Sequence, residues 1–363
     1  MKRPLKHYIR ECGTRNKEQG CTAVYSVTNS QGFVPSTDYF SKEVYSKDLS
    51  NYKIVKRGMI AYNPSRVNVG SLAVQNAEDQ VIVSPLYVVF SVDETQLLPE
   101  YICYFLHSDL GMKEISAHTS GSVRDSLKFS ALQNIEITIR PVTEQEEIIT
   151  LLRKIESIIE KRKRTLKKID ELVKSQFIEM FGDPAKNDKG WKQTTLKEVA
   201  KGKLSYGSGA SAVEYDGETR YIRITDITDN GELSEDRKSP SVVDEKYLLH
   251  DGDILFARSG ATVGKTFLYR STDGRGIYAG YLIRIIPNQD MVLPQYVFNY
   301  TKTDYYASFV RDCQRAVAQP NINAQEYGNL MICVPPIELQ EQFTRFVEQT
   351  DKSKIPFEME VAA

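Results

Sequence analysis

The sequence predicts an α+β protein made of two tandem copies of one globular domain, separated by a long coiled-coil helix and followed by a second, shorter, antiparallel helix. Three observations carry this prediction: a long internal repeat, alternating β-like and helical stretches within each copy, and an uninterrupted charged helix between the copies. A repeat of roughly 195 residues is far longer than a solenoid unit and therefore indicates two domains. The predicted boundaries are 1–142 and 183–335 for the domains, 143–182 for the central helix, 336–354 for the second helix and 355–363 for a tail.

The repeat consists of matched strings in one order. KIVKRGMIAYNPSRVNVG is matched by YLLHDGDILFARSGATVG, LLPEYICYFLHSD by VLPQYVFNYTKTD, and NIEITIRPVTEQEE by NLMICVPPIELQEQ. The equivalent positions are Gly58 and Gly252, Gly70 and Gly264, Leu97 and Val292, and Asn134 and Asn329. Two copies of one binding module on a rod would read two sites at a fixed distance.

Within each copy, short β-like runs such as VIVSPLYVVFSV and YLIRIIP lie between Gly, Asn and Pro residues that are typical of turns. A helix follows in each copy, opened by Pro99 or Pro294 at a favourable first-turn position. Each copy closes with a strand, IEITIRP or LMICVPP, that leads into a helix. This order predicts an α+β globule in each half.

The central helix has no Gly or Pro between Thr143 and Phe181. Its apolar residues recur at alternating steps of four and three, which is typical of a coiled-coil seam, interrupted at Arg162 and Gln176. About 39 residues rising about 1.5 Å each give a rod of roughly 58 Å. The seam is Ile148, Leu152, Ile155, Ile159, Leu166, Ile169, Val173 and Met180.

The second helix, from Pro336 to about Lys354, is predicted to pack antiparallel on the C-terminal half of that seam, from Leu166 to Met180. The N-terminal half would then lack a partner within the chain. An apolar stripe of that length usually marks an interface. We therefore expect a partner subunit, or a second copy of this chain, to cover Ile148, Leu152, Ile155 and Ile159.

Net charge is −1, but cations gather locally at equivalent places in the two copies. The stretch from Lys53 to Val74 has no acid, and the stretch from Arg258 to Arg284 has Asp273 alone. Such stretches could be ordinary solvated surface, yet their recurrence favours a phosphate-contacting face in each copy. The cations are Lys53, Lys56, Arg57 and Arg66 in the first copy and Arg258, Lys265, Arg270, Arg275 and Arg284 in the second.

Several function classes are excluded by what the sequence lacks. It has no apolar run long enough to span a membrane and no signal peptide, so a cytoplasmic location is expected. The five cysteines and four histidines are scattered without metal-ligand spacing, so neither a disulfide framework nor a metal site is predicted. No methyltransferase motif and no Ser/His/Asp or Cys/His constellation is supported by both copies. Catalysis by this chain is not expected.

Two local strings imitate catalytic motifs. RSGATVGKT, ending at Gly264–Thr266, resembles a phosphate-binding loop, but the first glycine of that motif falls at Ser259 and the first copy has no equivalent lysine. Asp244 and Lys246 could imitate part of a nuclease site, without a further acidic partner. Neither string predicts an enzyme.

The repeated strings resemble the specificity subunit of type I DNA restriction-modification systems. GMIAYNPSRVNVGS, LPEYICYF, LQNIEITIRPVTEQEEI and FIEMFGDP in the first half, and GDILFARSGATVGK, LPQYVFNY and QPNINAQEYGNLMICVPPIELQEQ in the second, follow the family's order over most of the chain. The resemblance implies two target recognition domains, each reading one half of a bipartite double-stranded DNA site. The family's second helix is commonly about as long as the first, whereas here it is predicted to be about half as long.

The resemblance also implies partners. The helices would set the gap between the half-sites and bind two modification subunits that carry S-adenosylmethionine-dependent adenine methylation. Restriction subunits would carry ATP- and magnesium-dependent translocation and cleavage. No cofactor is expected in this chain, and no membrane partner.

Residues that touch DNA are predicted from loops that carry Arg, Asn or Gln, because these side chains can make bidentate contacts to bases. Tyr278 and Tyr281 are added as candidate groove or phosphate contacts. For each of them, a turn residue or a solvated cation is the alternative interpretation. The first copy offers Asn63, Ser65, Arg66, Asn68, Arg124 and Lys128, and the second Arg258, Ser259, Thr262, Lys265, Tyr278, Tyr281, Arg315, Gln319 and Asn321.

Two other function classes remain open from the sequence alone. A stand-alone nucleic-acid-binding scaffold or regulator would share the duplicated domains but would not need an apolar helix face open to large partners. A nucleotide-dependent enzyme would depend on the GKT string at Gly264.

Overall fold

The computed structural model describes residues 2–39, 46, 48–119, 126–315 and 321–359. The chain divides into two compact units, Met1–Ile158 and Ile159–Ala363. The division falls inside the long helix, which runs unbroken over 40 residues from Val142 to Phe181.

The first unit is built on an antiparallel four-stranded sheet with strand order β2-β9-β6-β7. Three further antiparallel pairs, β1 with β10, β3 with β4 and β5 with β8, complete its described sheet structure. The elements are β1 (Lys2–Pro4), β2 (Ile9–Cys12), β3 (Tyr25–Thr28), β4 (Gly32–Pro35), α1 (Ser36–Tyr39), β5 (Lys53–Lys56), β6 (Ile60–Tyr62), β7 (Leu72–Val74), β8 (Gln80–Val83), β9 (Val88–Val92), α2 (Pro99–His107), α3 (Asp109–His118), α4 (Phe129–Leu132), β10 (Glu136–Thr138) and α5 (Val142–Phe181), with 3₁₀ turns at Leu5–His7 and Val67–Val69.

The second unit repeats the main parts of this plan, although one of its strand pairs, Arg220–Ile222 with Gly276–Tyr278, is parallel. Its four-stranded sheet has the order β12-β19-β16-β17, and β11 pairs with β20 as β1 pairs with β10. The elements are β11 (Lys192–Thr195), β12 (Ser205–Tyr206), β13 (Ala212–Glu214), β14 (Arg220–Ile222), β15 (Lys238–Pro240), β16 (Ile254–Ala257), β17 (Thr266–Leu268), β18 (Gly276–Tyr278), β19 (Leu282–Ile285), α6 (Pro294–Tyr300), α7 (Asp304–Arg315), α8 (Ala324–Gly328), β20 (Met331–Val334) and α9 (Ile337–Met359), with 3₁₀ turns at Ile224–Asp226, Glu245–Tyr247, Gly260–Thr262 and Ser271–Asp273. The predicted repeated α+β fold is confirmed.

The matched glycines explain why the repeated strings are alike. Gly58 and Gly252 precede the central strands β6 and β16, with φ of 84° and 88°. Gly70 and Gly264 close the turns that follow those strands, with φ of 89° and 88°. Residues with a Cβ are strained in this left-handed region, so each central strand is bounded by turns that need glycine.

A buried glutamine in the first turn of each long helix forms hydrogen bonds that attach the helix to its own unit. Gln145 accepts a hydrogen bond from the Leu98 N–H at 2.9 Å and donates to the carbonyl oxygens of Gln96 (2.8 Å) and Arg140 (2.9 Å). In the second unit Gln340 makes the same three bonds, to the Leu293 N–H (2.8 Å), the Met291 oxygen (3.0 Å) and the Pro335 oxygen (2.9 Å). Both glutamines are 0% exposed. The three bonds use both N–H donors and the carbonyl oxygen of a side chain that would otherwise be costly to bury.

The C-terminal half of α5 belongs to the core of the second unit. The ring of Phe177 lies 5.4 Å from the rings of both Tyr296 and Phe343, measured between centroids, and Phe181 packs beside it. Val173 is also buried, whereas the predicted seam residues Leu166, Ile169 and Met180 are half-buried. The aromatic anchors lie outside the predicted three-four seam because the helix end packs into a globular core rather than against one helix.

The second helix is antiparallel to α5, as predicted. Phe343, near the start of α9, contacts Phe177. The Lys354 ammonium, further along α9, lies 2.7 Å from the Asp170 carboxylate, which is about two turns before Phe177 in α5. The backbone remains helical to Met359, past the predicted end at Lys354. Pro356 does not end the helix, although a proline removes one backbone hydrogen bond.

All five cysteines carry free thiols. Cys21, Cys103 and Cys333 are buried, and Cys12 and Cys313 are half-buried. None of the described helices is both long and apolar enough to cross a membrane. Within the described ranges, no group of three or more His, Cys, Asp or Glu residues could hold a metal ion.

Candidate nucleic-acid interface

In each unit the loop after the central strand is hydrogen-bonded to the segment that precedes a short helix. In the first unit the Leu127 N–H, just before α4, donates to the Pro64 oxygen at 3.0 Å. In the second the Ile322 N–H, just before α8, donates to the Arg258 oxygen at 2.8 Å. The two equivalent pairs bring together residues that the sequence placed in separate groups. We call each pair of segments the paired loops.

The first unit's paired loops expose polar side chains on an anchored turn. Val67, 1% exposed, anchors the 3₁₀ turn that follows β6. The half-buried Asn63 accepts a hydrogen bond from the Ser65 N–H at 3.1 Å. Ser65, Arg66, Asn68 and Lys128 are exposed. Five of the six contacts predicted in the first copy therefore lie on one pair of segments, and four of these five are exposed.

A small cleft of about 110 Å³ lies beside Asn63 and Arg66. Its other lining residues include Ser26, Thr28 and Asn29 at the β3–β4 hairpin, and Tyr87. Sequence reasoning missed these polar groups because they lie outside the repeated strings, where no matched copy drew attention to them. They extend the candidate surface of the first unit towards β3.

In the second unit Arg258 is held by two neighbours. Its Nε–H donates to the Asn321 Oδ1 at 3.2 Å, and its guanidinium carbon lies 4.8 Å from the centre of the Tyr206 ring. Its backbone N–H donates to the Tyr281 oxygen at 3.1 Å. Tyr281 is 63% exposed and Tyr206 is 42% exposed. Arg258, Tyr281 and Asn321 were predicted, whereas Tyr206 was missed because it lies far away in sequence.

The remaining residues of this loop are less open to a ligand. The Thr262 hydroxyl donates to the Ser259 oxygen at 3.1 Å, and both residues are half-buried. The Lys265 ammonium lies 2.8 Å from the Asp229 carboxylate and lowers the pKa of that carboxyl. Lys265 also donates to the Ile227 oxygen, so its charge is largely used within the unit. A phosphate contact from Lys265 would have to compete with Asp229.

The resemblance to a phosphate-binding loop is not supported by the local structure. A phosphate-binding loop lies between a strand and the N-terminus of a helix. Here the 3₁₀ turn Gly260–Thr262 is followed by strand β17, and Thr266 is buried with its hydroxyl 2.7 Å from that of Thr301.

One predicted DNA contact is wrong. Tyr278 is 1% exposed, and its hydroxyl lies 2.9 Å from that of Ser205. Burial raises the pKa of this phenol. Tyr278 lies on β18 with its side chain in the core, so it cannot reach DNA without disrupting that core.

Three predicted contacts cannot be placed in full. Arg124 and Gln319 lie outside the described residues. Arg315 is the last residue of α7, and its side chain is likewise outside them.

Several cations of the basic stretches have partners within the protein. Arg57 pairs with Asp79 at 3.3 Å, and Arg275 with Glu245 at 2.6 Å. Arg284 lies 3.5 Å from the buried Asp253. The count of cations in the sequence therefore overstates the charge available to phosphates, and Arg66, Lys128 and Arg258 on the paired loops are the stronger candidates.

The N-terminal half of α5 presents an apolar stripe. Leu151, Ile155 and Ile158 are 59%, 44% and 50% exposed. Of the predicted interface, Ile148, Leu152 and Ile159 are half-buried and Ile155 is exposed. On another face, this part of the helix packs against its own unit through Ile149, which is 4% exposed. Two polar contacts add to this packing: the Tyr104 hydroxyl donates to the Glu156 carboxylate at 2.8 Å, and Arg153 forms an ion pair with Glu100. The open stripe is therefore rotated by about one residue from the predicted seam.

The duplicated units and their equivalent paired loops define a protein with two copies of one candidate DNA-reading domain. A family model described as the type I restriction modification DNA specificity domain matches residues 17–171 and 188–361. The chain therefore belongs to this family and contains two copies of the domain.

Curated relatives are specificity subunits of type I restriction enzymes. The EcoKI specificity subunit of Escherichia coli K12 is 23% identical over 277 residues, which cover 70% of this chain and 59% of that protein. The MjaIX specificity subunit of Methanocaldococcus jannaschii is 24% identical over 312 residues, which cover 80% of this chain and 67% of that protein. The chain thus matches about three fifths to two thirds of these relatives' lengths.

Solved structures share the fold over the whole chain. A type I restriction-modification S subunit from M. genitalium has a TM-score of 0.58 at 14% identity, with 100% of this chain and 92% of that chain covered. A chain from a type I R-M system studied for complex assembly and conformational transition has a TM-score of 0.56 at 16% identity, with 100% and 93% covered.

Proposed function

We propose that this chain is the DNA specificity subunit of a type I restriction-modification complex and that each unit reads one half of a bipartite site in double-stranded DNA. One observation carries the proposal: each unit has the same pair of hydrogen-bonded loops, but the side chains on them differ. The first unit offers Asn63, Arg66 and Lys128, and the second offers Arg258, Tyr281 and Asn321. One scaffold with two side-chain sets suits two different half-sequences.

The exposed stripe of Leu151, Ile155 and Ile158 supports assembly with modification subunits. Exposed apolar residues at helical spacing on a long helix are costly in water and suit a helical partner. We assign this stripe, with Ile148, Leu152 and Ile159 at its edge, to a modification subunit. A stand-alone scaffold or regulator would have no use for it.

Under this proposal the chemistry lies in the partners. Adenine methylation with S-adenosylmethionine belongs to two modification subunits, and ATP- and magnesium-dependent cleavage belongs to restriction subunits. The complex acts in the cytoplasm, where the DNA is. The chain itself supplies sequence recognition and the fixed distance between half-sites.

The experiment combines the purified chain with a cognate modification subunit and S-adenosylmethionine, using DNA of random sequence. We expect adenine methylation from the mixture and none from either component alone. The control is a chain with Leu151 and Ile158 replaced by glutamate, which should fold but not assemble. Methyl transfer by the isolated chain, or a mixture that never associates, would contradict the proposal.

A further inference from the structure

Arg258 occupies a paired-loop position at which the two units differ in chemistry. The equivalent residue in the first unit is Pro64, whose carbonyl makes the same backbone bond but whose side chain cannot donate. Any recognition by Arg258 therefore belongs to the second unit alone. This difference permits a test in which the first unit is the internal control.

The guanidinium of Arg258 is held by two contacts, one on its planar face and one at its Nε–H. Its face lies over the Tyr206 ring, with 4.8 Å between the guanidinium carbon and the ring centre, and its Nε–H is used by Asn321. Stacking on an aromatic face suits the planar guanidinium, and a held side chain loses less entropy on binding. Together these contacts define the plane in which the two terminal nitrogens lie.

The two neighbours are themselves fixed. The Tyr206 hydroxyl accepts a hydrogen bond from the Ala324 N–H at 3.0 Å, and Tyr206 pairs with Ile283 in the sheet. Asn321 precedes Ile322, which is 0% exposed. The contacts that hold Arg258 are therefore all made within the protein and do not depend on a ligand.

The terminal nitrogens Nη1 and Nη2 of Arg258 have no protein acceptor within hydrogen-bond distance in the described part of the chain. Arg258 is half-buried, and the neighbouring Tyr281 is open to solvent. Two parallel donors held in one plane match the O6 and N7 acceptors of guanine in the major groove.

We propose that Arg258 reads a guanine in the half-site of the second unit and that Tyr206 and Asn321 are positioning residues that hold it for this contact. The proposal rests on the function proposed above. It predicts a guanine, on either strand, at one position of that half-site.

The test uses the assembled complex with methylation sequencing of DNA that carries every single-base variant of the bipartite site. Arg258→Ala should lower discrimination at the guanine by about 5- to 150-fold, since a bidentate base contact is worth about 1–3 kcal/mol. Arg258→Lys should lose nearly as much, because it keeps the charge but not the planar pair of donors.

The positioning residues give graded results. Tyr206→Ala and Asn321→Ala should each lose part of the discrimination at the same base, and Tyr206→Phe should retain more than Tyr206→Ala because the ring remains. Continued reading of the first half-site shows that each variant is folded.

Three outcomes would overturn the inference. Arg258→Ala could leave the second half-site unchanged, or it could weaken all sequences equally and reduce the salt dependence of binding by about one ion, as a phosphate contact does. Tyr206→Ala and Asn321→Ala could both match the wild type. If instead the wild-type complex methylates no bipartite site at all, the function proposed above fails, and this inference fails with it.

Discussion

The buried glutamines at the starts of the two long helices give a prediction that each unit tests separately. Replacing Gln145 by alanine removes the acceptor of the Leu98 N–H and the donor to two carbonyl oxygens in a site that is 0% exposed. An unsatisfied buried donor costs about 1–3 kcal/mol, and the two carbonyls add to this, so we expect a loss of about 2–4 kcal/mol.

The assay is amide hydrogen exchange of Leu98 and of its counterpart Leu293. A loss of about 2 kcal/mol accelerates exchange by about 30-fold. Gln145→Ala should accelerate exchange at Leu98 and leave Leu293 unchanged, whereas Gln340→Ala should do the reverse.

The neighbouring exposed residues provide matched controls. Glu146→Ala and Glu338→Ala lie on the same helix turns as the glutamines and should leave both amides protected. Equal protection of Leu98 in Gln145→Ala and Glu146→Ala would refute the argument. Faster exchange throughout the chain would mean that the bonds matter for global stability rather than for seating the helix.

Three further predictions follow from other parts of the molecule. Phe177→Ala should destabilise the second unit by about 3–5 kcal/mol in chemical denaturation, because the ring is 1% exposed among other aromatic rings. Ile178→Ala, at a 41% exposed position, should change stability by less than about 0.5 kcal/mol. Equal effects of the two changes would contradict the assignment of Phe177 to the core. The double change Leu151→Glu and Ile158→Glu should abolish association with the modification subunit in analytical ultracentrifugation, because it places charges on the exposed apolar stripe. The melting temperature of the isolated chain should stay within a few degrees of the wild-type value. Unaltered association would show that the stripe is not the interface. Burial lowers the pKa of Lys302 from 10.5 to about 8. Between these pH values the unfolded state binds more protons than the folded state, so the wild type should gain stability relative to Lys302→Met as pH rises through that window. A difference in unfolding free energy between the two proteins that stays constant with pH would refute this.

The sequence could locate the scaffold because the same turns and strands occur twice. Gly58 and Gly252 match in sequence because both adopt a left-handed turn before the central strand. The predicted loop residues Asn63 and Arg258 follow those strands directly, so the repeat was enough to place them.

The sequence could not show which side chains are already occupied. Tyr278 was misassigned because a tyrosine after a glycine-rich turn is equally compatible with a groove contact and with a core strand. Arg258 stacks on Tyr206, which is distant in sequence. No local sequence pattern predicts a contact of this kind. Phe177 was missed because a strict three-four seam describes helix pairs, whereas this helix end packs into a globular core.

The most direct test of the central claim is methylation sequencing of the host genome with and without this gene, followed by exchange of one unit for that of a relative with another specificity. We predict adenine methylation at a bipartite site with a fixed gap, its loss on deletion of the gene, and replacement of only one half of the site on exchange of one unit. A contiguous site, methylation that persists without the gene, or a change in both halves after a single exchange would contradict the account.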